Sequence, residues 1–164
     1  MTETYLTSEQ AKDFLAKYPT VQWIDIFMHD LNGIPRGKRI RSRDLLGFAD
    51  KGLMVPSTCY IMDMRGSCVE ETGRLWETGD PDLQFRILSE TLVPVAVEGT
   101  THAQAVMVPI EDDGGLDPRR ILQRQTAALA KMGFHPVTAV ELEFYVSAVS
   151  SNGVFELKTP CGLV

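Results

Sequence analysis

Glu141 and Glu143 are the residues whose type and spacing point most directly to chemistry. The stretch from Val137 to Val146 is rich in β-branched and aromatic residues and predicts a strand, in which residues i and i+2 lie on one face. The two carboxylates would then project in the same direction, roughly 6.6 to 7 Å apart. Carboxylate oxygens suit Mg²⁺, but an exposed sheet face that alternates glutamate with apolar residues explains the same pattern. The spacing alone leaves both explanations open.

A concentration of positive charge is the second feature. Five basic residues lie within eight positions: Arg36, Lys38, Arg39, Arg41 and Arg43. Such a cluster can hold a phosphate or carboxylate substrate, or an acidic neighbouring chain. The alternative is a solvated edge strand whose charges prevent aggregation. Pro35 favours the edge strand, because proline lacks the N–H that a central strand must donate.

The remaining chemistry-bearing residues form no known motif. The histidines His29, His102 and His135 have no partner at metal-ligand spacing and are interpreted as ordinary surface or turn residues. The cysteines Cys59, Cys68 and Cys161 are odd in number and include no CxxC pair, so neither a disulfide framework nor a zinc site is indicated. GxSxG, P-loop and GxGxxG motifs do not occur in the sequence.

Length and composition fit one globular domain, or one small domain and part of another. The chain has 164 residues, of which 44% are hydrophobic and 23% charged. A net charge of −6 disfavours nucleic-acid binding, which usually needs a basic surface. No apolar run approaches the roughly 18 to 20 residues of a membrane span, and the start has no signal-peptide pattern. The expected location is therefore the cytoplasm.

Periodicity and turn residues predict the elements that would position these side chains. We expect a helix from a capping box at Thr7 to Pro19, a β-hairpin over residues 21–40 that turns at Asn32-Gly33, and a short helix over 42–49. Strands are predicted at 53–62, 91–97 and 103–110, with a loop at 65–82. A further helix is predicted from Pro118 to a stop at Gly133.

Several segments, in this order along the chain, resemble blocks of the glutamine synthetase family, above all its γ-glutamylputrescine synthetase branch. The matching blocks are Trp23–Ile40, Val69–Gly73, Gly79–Asp82, Asp117–Arg119 and Ala139–Tyr145. Their collinear agreement, over approximately residues 8–160, is stronger evidence than any single block.

The resemblance implies an α+β fold, in which a β-grasp-like N-terminal domain precedes the first helix and strand of a glutamine-synthetase-type catalytic domain. The implied boundaries are a helical extension at 1–15, the β-grasp-like domain at 16–110, a linker at 111–116 and the start of the catalytic domain at 117–164. The acids and glycines of residues 111–115 suit a linker, because they bury little apolar surface. Family members continue well beyond this point, so the catalytic domain would be incomplete and the chain a truncated form.

The implied activity is that of an ATP-dependent ligase that joins glutamate to an amine through γ-glutamyl phosphate. In that family an E-x-E pair on the first catalytic strand binds two divalent ions, so the resemblance makes Glu141 and Glu143 ligands of Mg²⁺ or Mn²⁺. These ions would neutralise phosphate charge and align in-line transfer. The family also builds each active site between neighbouring subunits, which implies a ringed homo-oligomer. We expect no nucleic-acid or membrane partner.

Ser57 is implied as a rim residue of the amine site, because residues 55–58 lie near a loop that usually reads Asp-Gly-Ser-Ser in glutamine-forming members. This sequence has no aspartate there. Since a buried carboxylate would favour ammonium and later accept its proton, we expect a larger amine such as a polyamine. The alternatives are an ammonium-using glutamine synthetase, and a truncated non-catalytic β-grasp module that docks on a full-length synthetase. The chain alone is expected to be inactive.

Overall fold

The structure, a computed structural model, describes residues 4–95, 99, 101–110, 114–143, 147–149 and 155–157. The chain divides into two units, Met1–Ala128 and Leu129–Val164. The helices are α1 Ser8–Lys17, α2 Leu45–Lys51 and α3 Pro118–Lys131. The strands are β1 Trp23–His29, β2 Pro35–Arg41, β3 Leu53–Pro56, β4 Asp82–Ile87, β5 Val93–Pro94, β6 His102–Pro109, β7 Ser147–Val149 and β8 Phe155–Leu157.

Helix α1 begins at the capping box that the sequence predicts. The Thr7 hydroxyl accepts a hydrogen bond from the Gln10 amide at 3.2 Å, and the Gln10 side chain accepts one from the Thr7 amide at 3.0 Å. These bonds satisfy two backbone donors that the first turn of a helix otherwise leaves free. Ala11 and Phe14, which are three residues apart on one face, are buried. The first predicted helix is therefore confirmed.

Six of the described strands form one mixed sheet in the first unit. Its order is β2-β1-β6-β4-β3, with β5 paired to β6. Strands β1 and β6 run parallel, while the other pairs in this sheet are antiparallel. In the second unit, β7 and β8 form an antiparallel pair in which Ala148 lies opposite Glu156.

The alternating side chains of β1 decide which face of the sheet is buried. Ile24, Ile26 and Met28 are buried, whereas the residues between them are half-buried. The three belong to a core cluster that also includes Phe14 of α1 and Leu45 of α2. The sheet thus buries one apolar face with the first two helices, as a half-buried sheet in an α+β protein does.

The turn of the β1–β2 hairpin is organised by Asp30, which is 1% exposed. Its carboxylate accepts hydrogen bonds from the amides of Asn32 and Ile34, both at 2.9 Å, and from Arg36 Nε at 2.9 Å. Gly33 takes a positive φ of 77°, which only glycine adopts at little cost. The predicted hairpin with its Asn-Gly turn is confirmed.

Side chains of the β1–β2 hairpin make hydrogen bonds to β3, the strand at the other edge of the sheet, and to the loop that follows it. Lys38 Nζ donates to the Met54 carbonyl of β3 at 3.2 Å. In the loop beyond β3, the Asp63 carbonyl accepts from Arg36 Nη2 at 2.9 Å and the Met62 carbonyl accepts from Asn32 Nδ2 at 2.8 Å. The sheet is therefore curled, so that its two edges approach and are joined by side-chain hydrogen bonds.

In the first unit, two predicted strands are shorter than expected and one strand was not predicted. The stretch 53–62 is a strand only over Leu53–Pro56, because residues Ser57–Ile61 form a 3-10 turn. Strand β4 was missed by the sequence analysis, although Leu83, Phe85 and Ile87 alternate and are buried. Of the predicted strand 91–97, β5 covers only Val93–Pro94, and residues 96 and 97 lie outside the described part.

The strand predicted over Val137 to Val146 is wrong for residues 137–143, which have no regular secondary structure. Val137, Val140 and Leu142 are 97%, 88% and 79% exposed. A strand needs a neighbour for its backbone hydrogen bonds, and no strand in the described part of the chain pairs with these residues. Residues 144–146 lie outside the described part.

Helix α3 confirms the predicted helix, since it covers Pro118–Lys131 and precedes Gly133 at a φ of 83°. The Asp117 carboxylate accepts a hydrogen bond from the Arg119 amide at 2.8 Å, as expected of a residue at a helix start. None of the helices in the described residues combines the length and apolar character that crossing a lipid bilayer would require.

Candidate functional site

Glu141 and Glu143 lie on an exposed stretch of the chain that follows α3. Their carboxylates are oxygen donors of the kind that hard divalent ions take. Within the described residues, no group of three or more His, Cys, Asp or Glu side chains is placed to hold a metal ion. The donor chemistry of the pair fits Mg²⁺ or Mn²⁺, but two carboxylates supply only part of a coordination shell.

The basic cluster does not form one positive surface, because the strand alternation of β2 splits it between two faces. On one face, Arg39 makes a two-pronged ion pair with Asp25, with distances of 2.6 and 2.9 Å. Arg41 stacks over the Trp23 ring, with 4.4 Å from its guanidinium carbon to the ring centre. The hydrogen bonds from Arg39 hold the pKa of Asp25 below its usual range.

The other basic residues of the cluster also have partners in the same unit. Arg36 pairs with the buried Asp30, and Lys38 binds the Met54 carbonyl. Arg43 lies 3.8 Å from Asp44, a surface contact of little energetic weight. Since β2 ends the strand order, the structure supports the edge-strand explanation of the cluster. The arginines and the lysine mainly hold the sheet together.

Burial and hydrogen bonding act in opposite directions on Asp30. Burial alone would raise the pKa of this carboxyl, but the amides of Ile34 and Asn32 and the guanidinium of Arg36 outweigh that effect. The pKa of Asp30 therefore lies below its ordinary value, and the group stays ionised at neutral pH. Its role is to fix the hairpin turn.

An open groove of about 580 Å³ lies on the half-exposed face of β1 and β2, and Gln104 of β6 also lines it. Its walls include Asp25, Phe27 and His29, and the His29 ring stands edge-on to Phe27 at 5.4 Å between ring centres. The Asp25 carboxylate is already engaged by Arg39. The groove is thus lined by aromatic side chains and by the Asp25–Arg39 ion pair, and Asp25 does not offer it an unpaired negative charge.

Ser57 begins the 3-10 turn that follows β3, and its amide donates to the Pro81 carbonyl at 3.1 Å. The next amide, that of Thr58, donates to Asp80 Oδ1 at 3.3 Å. Two consecutive hydrogen bonds thus join the Ser57 segment to the residues before β4. Thr58 is buried, while Ser57 and Asp80 are half-buried.

Asp80 is the residue of this region that sequence reasoning missed. The sequence signal was present, because Gly79-Asp80-Pro81 is a turn sequence directly before the apolar alternation of β4. Without β4, nothing indicated that these residues lie beside Ser57. Burial raises the pKa of the Cys59 thiol, and the negative charge of Asp80 raises it further. Cys59 is consequently a poor nucleophile at neutral pH.

The chain is 34% identical over 157 residues to gamma-glutamylputrescine synthetase PuuA of Escherichia coli (strain K12), a match that covers 94% of this chain and 33% of that protein. It is 27% identical over 139 residues to glutamine synthetase of Pyrococcus abyssi (strain GE5 / Orsay), with 85% and 28% covered. No protein-family model matches the chain.

Among solved structures, one described as a GmaS/ADP complex matches with a TM-score of 0.54 and 18% identity. The match covers 77% of this chain and 26% of that chain. At this identity it supports the mixed α+β fold alone. The chain spans about a third of the length of the curated relatives that it matches. The family resemblance predicted from the sequence is confirmed, for the N-terminal portion of such proteins.

Proposed function

We propose that this chain is the N-terminal part of an ATP-dependent γ-glutamyl-amine ligase of the glutamine synthetase family. The observation that carries the proposal is the 34% identity, over 94% of the chain, to a gamma-glutamylputrescine synthetase. The glutamine synthetase match over 85% of the chain supports the same reaction class. The complete enzyme would phosphorylate the γ-carboxylate of glutamate with ATP, and an amine would then displace phosphate to form an amide.

In this proposal, residues 16–110 form a β-grasp-like domain and residues 117–164 begin the catalytic domain, with a helical extension at 1–15 and a linker at 111–116. The topology supports the first assignment, since a parallel pair, β1 and β6, lies inside the sheet and antiparallel strands flank it. Helix α2 follows the β1–β2 hairpin and contributes Leu45 and Ala49 to the core on one face of the sheet.

Glu141 and Glu143 would hold the divalent ions of the reaction, Mg²⁺ or Mn²⁺. Bound ions of this kind neutralise phosphate charge and align the transferred group. The hard carboxylate donors and the exposure of both residues support the assignment, because an exposed pair remains free to coordinate. The rest of the coordination shell would come from outside the described residues. The same stretch would become a strand when a neighbouring strand of the complete catalytic sheet pairs with it.

The proposed nucleophile is a diamine or polyamine, because the 34% identical relative is a gamma-glutamylputrescine synthetase. Ser57 would lie at the rim of the amine site, and its fixed position after β3 supports a role as a wall rather than as a moving group. Ammonium is the alternative nucleophile, since the second relative is a glutamine synthetase. Each site would be completed by a neighbouring subunit of a homo-oligomer.

The test is a comparison of amines with a full-length protein that contains these 164 residues. We expect phosphate release that requires ATP, glutamate and an amine together, with putrescine used at a lower concentration than ammonium. Preference for ammonium would support the alternative and reject the diamine. Failure of all amines, together with co-purification of a longer synthetase, would favour the non-catalytic docking module instead.

A further inference from the structure

Both the carboxylate and the backbone of Asp80 are held by hydrogen bonds. Its Oδ1 accepts a hydrogen bond from the Thr58 amide at 3.3 Å, and its own amide donates to the Leu75 carbonyl at 3.2 Å. The Pro81 carbonyl beside it accepts from the Ser57 amide at 3.1 Å. The side chain is half-buried, so it is both anchored and reachable from solvent.

The backbone at Asp80 is in an unfavourable conformation. Its φ is +47°, the one positive φ of a non-glycine residue among the described residues. Apart from glycine, aspartate and asparagine are among the few residues that tolerate this region with modest strain. In this conformation the carboxylate reaches the Thr58 amide of the turn that Ser57 begins.

The charge of Asp80 is not balanced by a basic side chain in the way that the charges of Asp25 and Asp30 are. Asp25 is paired with Arg39 and Asp30 with Arg36. Within the described part of the chain, no lysine, arginine or histidine nitrogen lies within ion-pair distance of Asp80. One amide donor occupies only part of the accepting capacity of a carboxylate, which has about four lone-pair sites. The group is thus able to accept hydrogen bonds from a cation that arrives from solution.

An aromatic side chain lies in the same closed turn. The bond from the Asp80 amide to the Leu75 carbonyl closes a loop of residues 75–80, and Trp76 within it is 79% exposed. An indole face and a carboxylate are the two groups that bind organic ammonium ions most readily. Exposure of a tryptophan to this degree is unusual, because burial of its ring is strongly favourable.

We propose that Asp80 binds the non-reacting ammonium group of a diamine substrate and thereby sets the amine specificity of the ligase. The proposal rests on the proposed function and deepens it. The reacting nitrogen must lose its proton before it attacks, and a carboxylate beside it would stabilise the protonated form. The distal nitrogen stays charged throughout the reaction, so it is the group that an unpaired carboxylate suits.

The experiment is carried out with the full-length enzyme and two amines of equal chain length, putrescine and n-butylamine. The substitution Asp80→Asn keeps the size of the side chain, its acceptor for the Thr58 amide and its tolerance of positive φ. We expect the KM for putrescine to rise about tenfold, with little change in kcat, in the KM for n-butylamine or in the KM for glutamate. Asp82→Asn, two residues away on the exposed start of β4, is the matched control and should change none of these values.

Equal effects of Asp80→Asn on the two amines, or no effect on either, would overturn the proposal while leaving the ligase activity established. Trp76→Ala supplies a second measurement, because a weakened preference for putrescine is expected there too, and an unchanged preference contradicts the role of the closed turn. A wild-type enzyme that ligates no amine would overturn the proposed function itself, and this proposal with it.

Discussion

Single residues in this chain decide both how the sheet is held and what it could bind. Asp30 and Asp80 are both aspartates at turns, yet their surroundings differ. Asp30 is buried and accepts hydrogen bonds from two amides and an arginine, whereas Asp80 is half-buried and accepts one from an amide. The first is therefore a structural group and the second a candidate ligand-binding group.

Asp30→Ala should destabilise the protein by about 3 kcal/mol, because it leaves the Arg36 guanidinium and two turn amides without their acceptor. The free energy of unfolding in urea is the measurement. Asp44→Ala is the control, since the exposed Arg43–Asp44 contact at 3.8 Å should contribute less than about 0.5 kcal/mol. Similar losses in both variants would show that burial of the pair does not matter.

Asp30 also predicts how stability depends on pH. Its pKa is lower in the folded state than in the unfolded chain, so its contribution is present above the unfolded value of about 3.9 and is lost as pH falls through the folded value. Urea unfolding of wild type and Asp30→Asn should therefore differ by a constant amount at neutral pH and converge below about pH 4. A difference that grows in acid would contradict the assigned ionisation.

The metal assignment is tested at Glu141 and Glu143 in a full-length protein. Each change to alanine should lower Mn²⁺-dependent activity by at least about 100-fold, since even residues that only orient metal ligands cost 10- to 100-fold when changed. Direct Mn²⁺ binding should weaken in parallel. Glu9→Ala, an exposed acid in the first turn of α1, is the control and should leave both unchanged. Near wild-type activity and Mn²⁺ binding in both variants would reject the metal role, and the two glutamates would then be ordinary exposed residues.

Among the helices and strands, those defined by residues close together in the sequence were predicted correctly. The capping box of α1, the Asn-Gly hairpin and the proline start of α3 were all predicted, because each depends on residues close in sequence. Strand β4 was missed although its alternation is regular. A short alternating run becomes a strand only through its neighbours, and β3 and β6 are distant in sequence.

The same reasoning explains why the strand predicted over residues 137–146 is not formed at residues 137–143. Its apolar alternation is real, but residues 137–143 have no pairing partner among the described residues and lie exposed. The basic cluster of β2 shows the converse. Strand alternation alone predicts that Arg36 and Lys38 lie on one face of β2 and that Arg39 and Arg41 lie on the other. The partners of these side chains could not be predicted, because they depend on how the sheet curls.

The junction between α2 and β3 gives a prediction with a control of opposite sign. At Gly52 φ is 74°, and a Cβ there would lie 2.3 Å from the Phe85 carbonyl oxygen. Gly52→Ala should therefore destabilise the protein by about 2 kcal/mol. Gly47, inside α2, has open space around its Cβ position, so Gly47→Ala should stabilise it by about 0.5 to 1 kcal/mol. Equal changes in thermal stability for the two variants would contradict the close approach of Gly52 to the Phe85 carbonyl.

For the molecule as a whole, the mixed α+β class and the family resemblance could be inferred from the sequence, because collinear blocks run along nearly the whole chain. The position of Asp80 beside Ser57 could not, since it depends on the pairing of β3 with β4. The pairing of these strands brings the Asp80 carboxylate, 23 positions further along the chain than Ser57, beside the Ser57 turn. The proposed amine site follows from that arrangement.

We propose that the full-length protein activates glutamate as γ-glutamyl phosphate before the amine attacks. Glutamate labelled with heavy oxygen in its γ-carboxylate tests it directly in a full-length protein supplied with ATP, Mg²⁺ and putrescine. We expect one labelled oxygen in each released phosphate, together with a γ-glutamyl amide that retains the other. Unlabelled phosphate, or phosphate release without amide, would contradict it.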